Sequence, residues 1–397
     1  MIVKYEIKRV FAKRLNRFLL GVAFAAAIVM SVFALTGARY VDSAGVRHET
    51  PDAVRKVTAD RNKWKGELTG EVLAQVTGDW QETVNQYGMD VPNDVYGQKI
   101  QSYEDIQYMI NSILCGDGGY DDNAILNISP EQAKNLYAVR EEKIGEVIRK
   151  YGDTKEKQEF LESQYEKTKT PFYYEAADSF KNMLIYATTY GLILVVLIGF
   201  LAAGIFADEF TFRADAVFFS SRYGRTKALR SKILSGLLMA TVIYWSGMAL
   251  LSLICFAVMG VGGFGTPYQI EYPYSIYQLT CGQEYLILLL GGYVASLLSA
   301  SVSMLAAAKT HSANIAVCLP FLLFCVSPFI GRALPFDTFF LLTPDQLTNI
   351  MNALKYTEIF QIGGIVFRQI PFILLFYTIV AAVLLPVIYQ CCRRYRK

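Results

Sequence analysis

The residues best suited to binding chemistry lie in a charged stretch between two long apolar runs. Residues 206–234 read FADEFTFRADAVFFSSRYGRTKALRSKIL, in which an acidic pair precedes a group of phenylalanines and a basic segment. Carboxylates and cations in this arrangement predict ionic contact with a partner. The candidate contact residues are Glu209, Ser221, Arg222, Arg225, Lys227, Arg230 and Lys232.

Two kinds of partner fit the basic segment. Anionic lipid headgroups near a membrane surface would contribute about 1 kcal/mol for each Lys or Arg. The alternative is a soluble protein that docks on a helix. Ser220 and Ser221 can cap a helix that runs from Arg222 toward the next apolar run. The phenylalanines of residues 210–219 predict an amphipathic elbow at the membrane surface.

The sequence lacks the motifs of several catalytic classes. It contains no G-x-x-x-x-G-K-[ST] loop, which excludes nucleotide binding of the usual P-loop kind. His48 and His311 are the only histidines, and they lie far apart in the chain. They provide neither a zinc-ligand cluster nor the base of a Ser-His-Asp arrangement. We therefore predict that the chain is not itself an enzyme and carries no cofactor or metal.

The apolar runs that position the charged stretch are long enough to cross a membrane. Hydrophobic residues make up 53% of the 397 residues, and charged residues make up 18%. A helix of roughly 20 apolar residues crosses a hydrocarbon layer of about 30 Å. Six uncharged stretches reach this length, at residues 18–36, 183–207, 233–260, 285–308, 312–331 and 370–390. They predict an all-α polytopic membrane protein with six transmembrane helices, for which the lipid bilayer is a partner.

The spans themselves carry two further expectations. None of them holds a charged side chain in its interior, which disfavours proton coupling and leaves open sodium coupling through backbone carbonyls. The first span exceeds the roughly 7–15 apolar residues of a cleaved signal peptide. We predict an uncleaved signal anchor, with cleavage as the alternative.

Basic residues mark one side of the predicted membrane protein. Six Lys or Arg lie in the tail of residues 1–17, six in residues 206–232, one at Lys309 and four after the last span. In contrast, residues 38–181 carry 18 basic and 26 acidic residues, a net charge of −8. The positive-inside rule places both chain ends in the cytoplasm. It places residues 37–182 outside, followed by a five-helix membrane domain in residues 183–397.

The predicted outer regions have helical patterns. Ser129 and Gln132 form the pattern of a capping box, and the helix that follows is predicted to stop at Gly152. A second outer helical segment is predicted at residues 332–369, with a capping box from Thr343 to Gln346. Apolar residues recur every four positions at Trp64, Leu68, Val72, Val76, Trp80 and Val84, as on one helix face. Only Cys115 and Cys281 are expected to face outside, and whether they pair stays open.

The fourth span has a stripe of small residues. Gly292, Ser296 and Ala300 lie four apart, a spacing that lets helix backbones approach closely. The stripe predicts a packing face first, and a dimer interface or the lining of a path second.

The charged stretch resembles the loop of ABC type-2 permeases, the membrane subunits of ABC exporters. That family has a phenylalanine, an acid two or three residues on, a small-residue stretch and then S-x-x-x-R-x-x-x-x-x-x-K. Phe206 and Glu209 match the first part, and Ser221, Arg225 and Lys232 match the second. Arg213-Ala214 and Tyr223-Gly224 stand near the positions where the family often has glycine and proline. The predicted topology resembles the family along the whole chain.

The resemblance implies a dimeric permease, formed with a second copy or a related chain, in a bacterial plasma membrane. Two separate cytosolic ATPase subunits would dock on residues 206–232 and hold the ATP and Mg²⁺, and no nucleic acid would be a partner. The substrate would be amphipathic or hydrophobic, such as a peptide, a drug or a lipid-like molecule. The alternative hypothesis is a membrane sensor or scaffold, whose outer domain binds a ligand and signals to a cytosolic partner.

Overall fold

The computed structural model of the chain describes residues 2–333 and 337–395. The described part begins with two helices that meet at a bend, α1 (Ile2–Ala12) and α2 (Arg14–Thr36). Lys13 between them has extended backbone angles, with φ −71° and ψ 128°. The side-chain amide of Asn16 donates to the carbonyl of Val10 at 2.8 Å, which satisfies a backbone group at the bend. The chain thus changes direction at Lys13, shortly before the first apolar run begins.

A large connecting region, residues 37–177, lies between α2 and the next apolar helix. Its helices are α3 (Ala53–Arg61), α4 (Gly70–Tyr87), α5 (Asn93–Val95), α6 (Glu104–Cys115), α7 (Pro130–Lys134), α8 (Leu136–Tyr151) and α9 (Lys155–Tyr165). Strands β1 (Tyr40–Val41) and β2 (Arg47–His48) form one antiparallel pair, and β3 (Gly66–Glu67) and β4 (Tyr173–Tyr174) form another. Because β3 pairs with β4, the last residues of the region lie beside residues 66–67.

The helical patterns of this region are confirmed in part, because Trp64 and Leu68 of the predicted stripe precede α4 and only its later positions lie on that helix. Val76, Trp80 and Val84 are buried on α4, where they contribute to a core shared with α6. Ser129 and Gln132 form both hydrogen bonds of the capping box, and α8 ends before Gly152. The prediction of helices alone was incomplete, because two short strand pairs close the loops. Cys115 and Cys281 are both free thiols, so the structure has no disulfide between them.

The remaining helices are mostly apolar. They are α10 (Asp178–Thr211), α11 (Asp215–Ser220), α12 (Leu229–Met259), α13 (Cys281–Thr310), α14 (Ala313–Phe321), α15 (Ser327–Ala333), α16 (Asp337–Phe340), α17 (Ile350–Lys355) and α18 (Gln369–Arg393). A π-type turn, Gly224–Ala228, leads directly into α12. Residues Leu322–Val326 join α14 to α15 in the same way.

Six helical segments of the described residues are long and apolar enough to cross a membrane. They are Arg14–Thr36, Asp178–Thr211, Gly224–Met259, Cys281–Thr310, Ala313–Gly331 and Gln369–Arg393. The predicted number of helices that are long and apolar enough to span a membrane is thus confirmed, although several of them extend beyond the apolar runs into charged turns. Helix α10 packs against α2, α12, α13 and α14 and is the most buried of the six. Because α10 lies in the middle of the bundle, the polar residues at its two ends contact many neighbouring residues.

The described part of residues 332–369 differs from the helical segment that the sequence predicts. Residues Ile359–Ile362 (β5) and Ile365–Arg368 (β6) form a β-hairpin, and only α17 and short helical turns precede it among the described residues. Gly363 and Gly364 form the two-residue turn with φ of 56° and 87°, values that favour glycine. Thr343 does not form the expected capping box, because its hydroxyl donates to the carbonyl of Phe340 at 2.6 Å. The part of the predicted segment at residues 334–336 lies outside the described residues.

Candidate functional site

Both described ends of the chain and the charged stretch meet at one end of the helix bundle. Arg9 of α1 contacts Glu209 of α10, and Tyr395 after α18 donates to Asp215 of α11 at 3.2 Å. We call this end the terminal face, and we call residues 206–232 the elbow. The connecting region lies at the opposite ends of α2 and α10. The elbow is therefore contacted both by the first helix and by the last described residue of the chain.

Lys232 forms the centre of a buried ion cluster on the terminal face. Its side chain is 0% exposed, and its ammonium donates to Glu209 at 2.7 Å and to Glu6 at 3.3 Å. The same nitrogen donates to the carbonyl of Ile205 at 3.0 Å. A buried ammonium is tolerated only when its donors are satisfied in this way. Lys232 therefore links α12 to α10 and to α1.

The N-terminal helix completes the cluster. The guanidinium of Arg9 contacts Glu209, donates to the carbonyl of Ile205 at 3.0 Å and lies 3.0 Å from Glu6. Although burial disfavours the charge of Arg9, the carboxylates of Glu209 and Glu6 raise its pKa above the ordinary value. Lys13 pairs in the same manner with Asp208. Three acidic and three basic side chains thus balance each other, and they come from residues 6–13, α10 and α12.

The elbow has a different local structure from the predicted one. We expected Ser220 and Ser221 to cap a helix starting at Arg222. Instead α11 ends at Ser220, and the hydroxyl of Ser221 donates back to the carbonyl of Phe218 at 2.8 Å. The next helical turn begins at Gly224 and continues into α12. The prediction of the cap was wrong. The Ser221 hydroxyl closes a turn onto Phe218, and the helical backbone resumes only at Gly224.

Aromatic side chains fill the space between the elbow and Tyr395, the last residue that the structure describes. The rings of Phe210 and His311 stack with centroids 3.9 Å apart, and Tyr395 packs against Phe210, Phe219 and His311. Arg225 reinforces this contact, because it donates to the carbonyl of Phe219 at 2.9 Å and to that of Arg393 at 3.0 Å. The end of α18 is therefore fixed to the elbow.

The candidate contact residues differ in their exposure. Arg222, Lys227 and Arg230 are exposed and form no ion pair within the described part of the chain. Their cations lie over the rings of Tyr223 and Tyr389. Glu209 and Lys232 belong to the buried cluster, so their side chains are not available to a soluble partner in this conformation. Arg225 is partly buried, and it lines an open recess of about 730 Å³ with Gln390, Arg393 and Arg394.

The buried partners on α1 were not assigned by sequence reasoning. Glu6, Arg9 and Lys13 lie in the tail of residues 1–17, where only the number of basic residues entered the prediction of topology. Their spacing places two of them, Glu6 and Arg9, one helical turn apart, which is the signal of a charged helix face. Which distant carboxylate or ammonium would meet that face depends on the packing of three helices, and no local pattern encodes it.

Gly224 offers a direct test of the elbow geometry. A Cβ atom at this position would overlap the backbone carbonyl oxygen of Phe218. We expect Gly224→Ala to lower the free energy of unfolding by about 1–3 kcal/mol, as overpacking does elsewhere. Trypsin should also cleave faster after Arg222 and Lys227. Unfolding in detergent micelles and a timed digest measure both effects.

Gly21→Ala is the matched control, because no atom lies within 4 Å of a Cβ built there. It should change the free energy of unfolding by no more than about 1 kcal/mol. Equal behaviour of the two variants would show that the close turn at Gly224 is not needed.

The small-residue stripe of α13 is buried inside the chain. Ser296 and Ala300 are both 0% exposed, and the hydroxyl of Ser296 donates to the carbonyl of Gly292 at 2.9 Å. A side chain on Gly292 would overlap Tyr244 of α12, whose hydroxyl donates to the carbonyl of Leu289 at 2.8 Å. In this structure the stripe packs helices of one chain against each other.

A second ion cluster joins the connecting region to the start of α10. Arg61 of α3 is bound by Asp178 at 2.6 Å, by Asp105 at 2.9 Å and by Glu104. Lys181 adds a contact to Asp105 at 3.2 Å. Burial opposes the ionisation of Asp105, but Lys181 and Arg61 outweigh it and hold the pKa of this carboxyl below its ordinary value. The cluster borders a cavity of about 560 Å³ near the end of α2.

Comparison with known proteins does not extend these observations. No protein-family model, curated protein or solved structure matches the chain. Within the described residues, no group of three or more His, Cys, Asp or Glu side chains is placed to hold a metal ion.

Proposed function

We propose that this chain is the membrane subunit of an ABC exporter, in which separate ATPase subunits dock on the elbow. The observation that carries the proposal is the presentation of Arg222, Lys227 and Arg230. These cations are exposed, form no ion pair in the described structure and lie in or beside the first turns of a 36-residue apolar segment, Gly224–Met259. An acidic surface on a partner would supply the carboxylates that they lack.

In this proposal the terminal face is cytoplasmic, as expected from its basic residues. ATP-driven closure of the two ATPase subunits would push on the elbow. The buried cluster gives this push a route, because Lys232 of α12 is bound to Glu209 of α10 and to Glu6 of α1. Three helices would then tilt together and open a path between this chain and a second permease copy. ATP and Mg²⁺ would stay in the ATPase subunits.

The substrate class follows from the same argument. The charged side chains of the six apolar segments lie in or near their end turns, so the middle of the bundle offers no fixed charge to a small ion. An amphipathic or hydrophobic molecule suits such a bundle better. Moving it outward would need energy from the docked subunits.

Charge reversal at the exposed cations tests the docking. We expect the triple variant Arg222→Glu, Lys227→Glu and Arg230→Glu to lose at least about tenfold in association with the cognate ATPase. Arg225 is left unchanged, because it holds the elbow to α18. The assay is co-purification from cells that express both chains, in a detergent without anionic lipid, so that loss of lipid contacts cannot explain the result.

The control reverses exposed cations of the same face that lie outside the elbow, Lys4→Glu and Lys8→Glu. It should keep the ATPase bound. Association that survives the triple reversal would remove the docking proposal. If no ATPase co-purifies with the unaltered chain and a response regulator does, the sensor or scaffold becomes the better hypothesis.

A further inference from the structure

A cavity rich in tyrosine lies at the end of the bundle opposite the terminal face. Its volume is about 200 Å³, and it lies between the end of α6, the loop before α13 and the end of α17. The lining side chains used below are Tyr108, Tyr120, Tyr272, Tyr356, Asp117 and Glu271. Known pockets for drug-sized ligands span about 300–1,000 Å³. The size of this cavity therefore suits a single small chemical group.

The loop after α6 brings two of the rings together. Gly116 and Gly118 have φ of 86° and 77°, and these left-handed turns return the chain toward α6. Tyr120 then stacks on Tyr108 with centroids 5.7 Å apart. Both rings remain open to solvent, with exposed fractions of 55% and 44%. Aromatic ring faces are thus available at the mouth of the cavity. Burial of the same two rings in the core would remove more apolar surface from water, so their exposure carries a cost in stability.

The cavity already holds one cation against an aromatic ring. The ammonium of Lys355, at the end of α17, lies 5.4 Å from the centre of the Tyr272 ring. Lys355 forms no ion pair with any residue that the structure describes. An ammonium within about 6 Å of a ring face is attracted by the electrons of the ring. The position of Lys355 thus marks where a cation is stable in this cavity.

Carboxylates complete the electrostatic environment. Asp117 accepts a hydrogen bond from the hydroxyl of Tyr151 at 2.9 Å and lies 3.5 Å from the ammonium of Lys150. Glu271 precedes Tyr272 in the chain and also lines the cavity. Burial and then the charge of Glu271 raise the pKa of Tyr272, so its phenol remains uncharged at neutral pH. Neutral rings and negative carboxylates both favour a positive guest.

We infer that this cavity binds an organic ammonium group. The group belongs either to a small organic ammonium ion that is free in solution or to the lysine side chain of an external peptide. The guest would take the face of Tyr272 that Lys355 now covers, while Tyr108, Tyr120 and Tyr356 enclose its alkyl groups. Lys355 competes for the same face and is displaced when the guest binds. The inference goes beyond the exporter proposal and does not depend on it, because it concerns binding to the isolated chain.

The guest would also join two parts of the molecule. Tyr108, Asp117 and Tyr120 belong to the connecting region. Glu271 and Tyr272 lie in the loop that leads to α13, and Lys355 and Tyr356 precede the hairpin before α18. A bound ammonium group therefore contacts both sides of the boundary between the connecting region and the apolar helices.

A pair of isosteric probes tests the inference on the purified full chain in a neutral maltoside detergent. Choline and 3,3-dimethyl-1-butanol have nearly the same shape, but only choline is charged. We expect saturable binding of choline, seen by saturation-transfer NMR, at least about tenfold tighter than that of the neutral alcohol. A parallel titration with the capped tripeptide Gly-Lys-Gly distinguishes a peptide side chain from a free ion as the guest.

Variants separate ring chemistry from folding. Tyr272→Leu should weaken the binding of the preferred cation about tenfold, whereas Tyr272→Phe, which keeps the ring, should stay within about twofold. Lys355→Met should bind more tightly than the unaltered chain, because the internal competitor is gone. Tyr87→Leu, an exposed tyrosine of α4 outside the cavity, is the control and should have no effect.

Several outcomes would overturn the inference. One is equal binding of choline and the neutral alcohol when the tripeptide also fails to bind. Another is equal affinity of Tyr272→Leu and Tyr272→Phe while both remain folded by circular dichroism. The absence of binding by choline and by the lysine peptide up to about 10 mM would also exclude it. Binding of the peptide alone would support it and identify a side chain as the guest.

Discussion

We expect the Lys232→Met variant to lose about 3–5 kcal/mol of the free energy of unfolding, the usual cost of removing one partner from a buried ion pair. Methionine fills a similar volume and adds no polar group, so the loss reports charge rather than a cavity. Without the ammonium, Glu209 and Glu6 share the single cation of Arg9 in a buried site. The measurement is a denaturation titration in mixed micelles, followed by far-ultraviolet circular dichroism.

Lys8→Met is the matched control for this substitution. Lys8 lies on α1 beside the cluster, but it is exposed and forms no ion pair with the described residues. Its replacement should change the free energy of unfolding by no more than about 0.5 kcal/mol. The comparison separates the buried ammonium from the general effect of removing one positive charge near α1.

The double variant Lys232→Met with Glu209→Gln tests the pairing itself. It restores charge balance, since Arg9 still lies 3.0 Å from Glu6. We expect it to recover about 1–3 kcal/mol of the loss seen in the single variant. A double variant as unstable as the single one would contradict the assignment of Lys232 to this cluster.

The contrast between Lys232 and Arg230 shows what the sequence could and could not provide. Both were predicted to belong to one docking surface, because both are basic and they lie two positions apart in the same segment. Residues two apart on a helix point to nearly opposite sides, since each residue advances by about 100°. The sequence therefore contained the information that they differ in direction. It did not show which of them would face the bundle, because the neighbouring α1 and α10 come from distant parts of the chain.

The six apolar helices were predictable because length and apolarity are local properties. Their ends were less so, as α10 continues to Thr211 past the acidic pair at Asp208 and Glu209. Ion pairs with α1 and α12 satisfy those carboxylates and allow the helix to extend. Local turn chemistry was also overlooked at residues 359–368, where Gly363-Gly364 between β-branched residues is the pattern of a hairpin. The small residues of α13 were recognised, but their neighbour Tyr244 became apparent only from the packing.

The tyrosine cavity was beyond prediction for a similar reason. The stretch YQIEYPYSIY at residues 268–277 has the composition of an aromatic belt at a membrane surface. In the structure Tyr274 is instead buried, and its hydroxyl donates to the carbonyl of Ile113 at the end of α6. Such a contact, between residues 161 positions apart, depends on how the connecting region packs on the loops. The sequence shows that both regions contain acidic and aromatic residues, whereas only the fold places Asp117 and Tyr272 at one cavity.

The second large effect is expected at the junction of the connecting region and α10. Replacing Arg61 by methionine leaves Asp105 and Asp178 in a buried site with Lys181 as the remaining cation. Their side chains are only 11% and 7% exposed, so water cannot replace the guanidinium. We expect a loss of about 3–5 kcal/mol in the free energy of unfolding at pH 7. Arg149→Met, an exposed arginine of α8 without an ion pair among the described residues, should lose no more than about 0.5 kcal/mol.

The pH dependence of the free energy of unfolding should differ between the unaltered chain and Arg61→Met. This difference identifies the cause of the stability loss in the variant. In the unaltered chain the lowered pKa of Asp105 contributes stability above the ordinary carboxyl pKa of about 4, and this contribution is lost as the pH falls through the folded value. The groups around Asp105 are Arg61, Lys181, Asp178, Glu104 and Tyr174. Lowering the pH from 7 to 5 should therefore leave this contribution unchanged.

In Arg61→Met the two buried carboxylates exceed the remaining cation by one charge. The folded state then gains stability by taking up a proton, so the deficit relative to the unaltered chain should shrink as the pH falls from 7 to about 5. A deficit that is constant over this range would show that Arg61 acts through packing of its side chain. A deficit that shrinks would show that charge neutralisation at this junction holds the connecting region to α10.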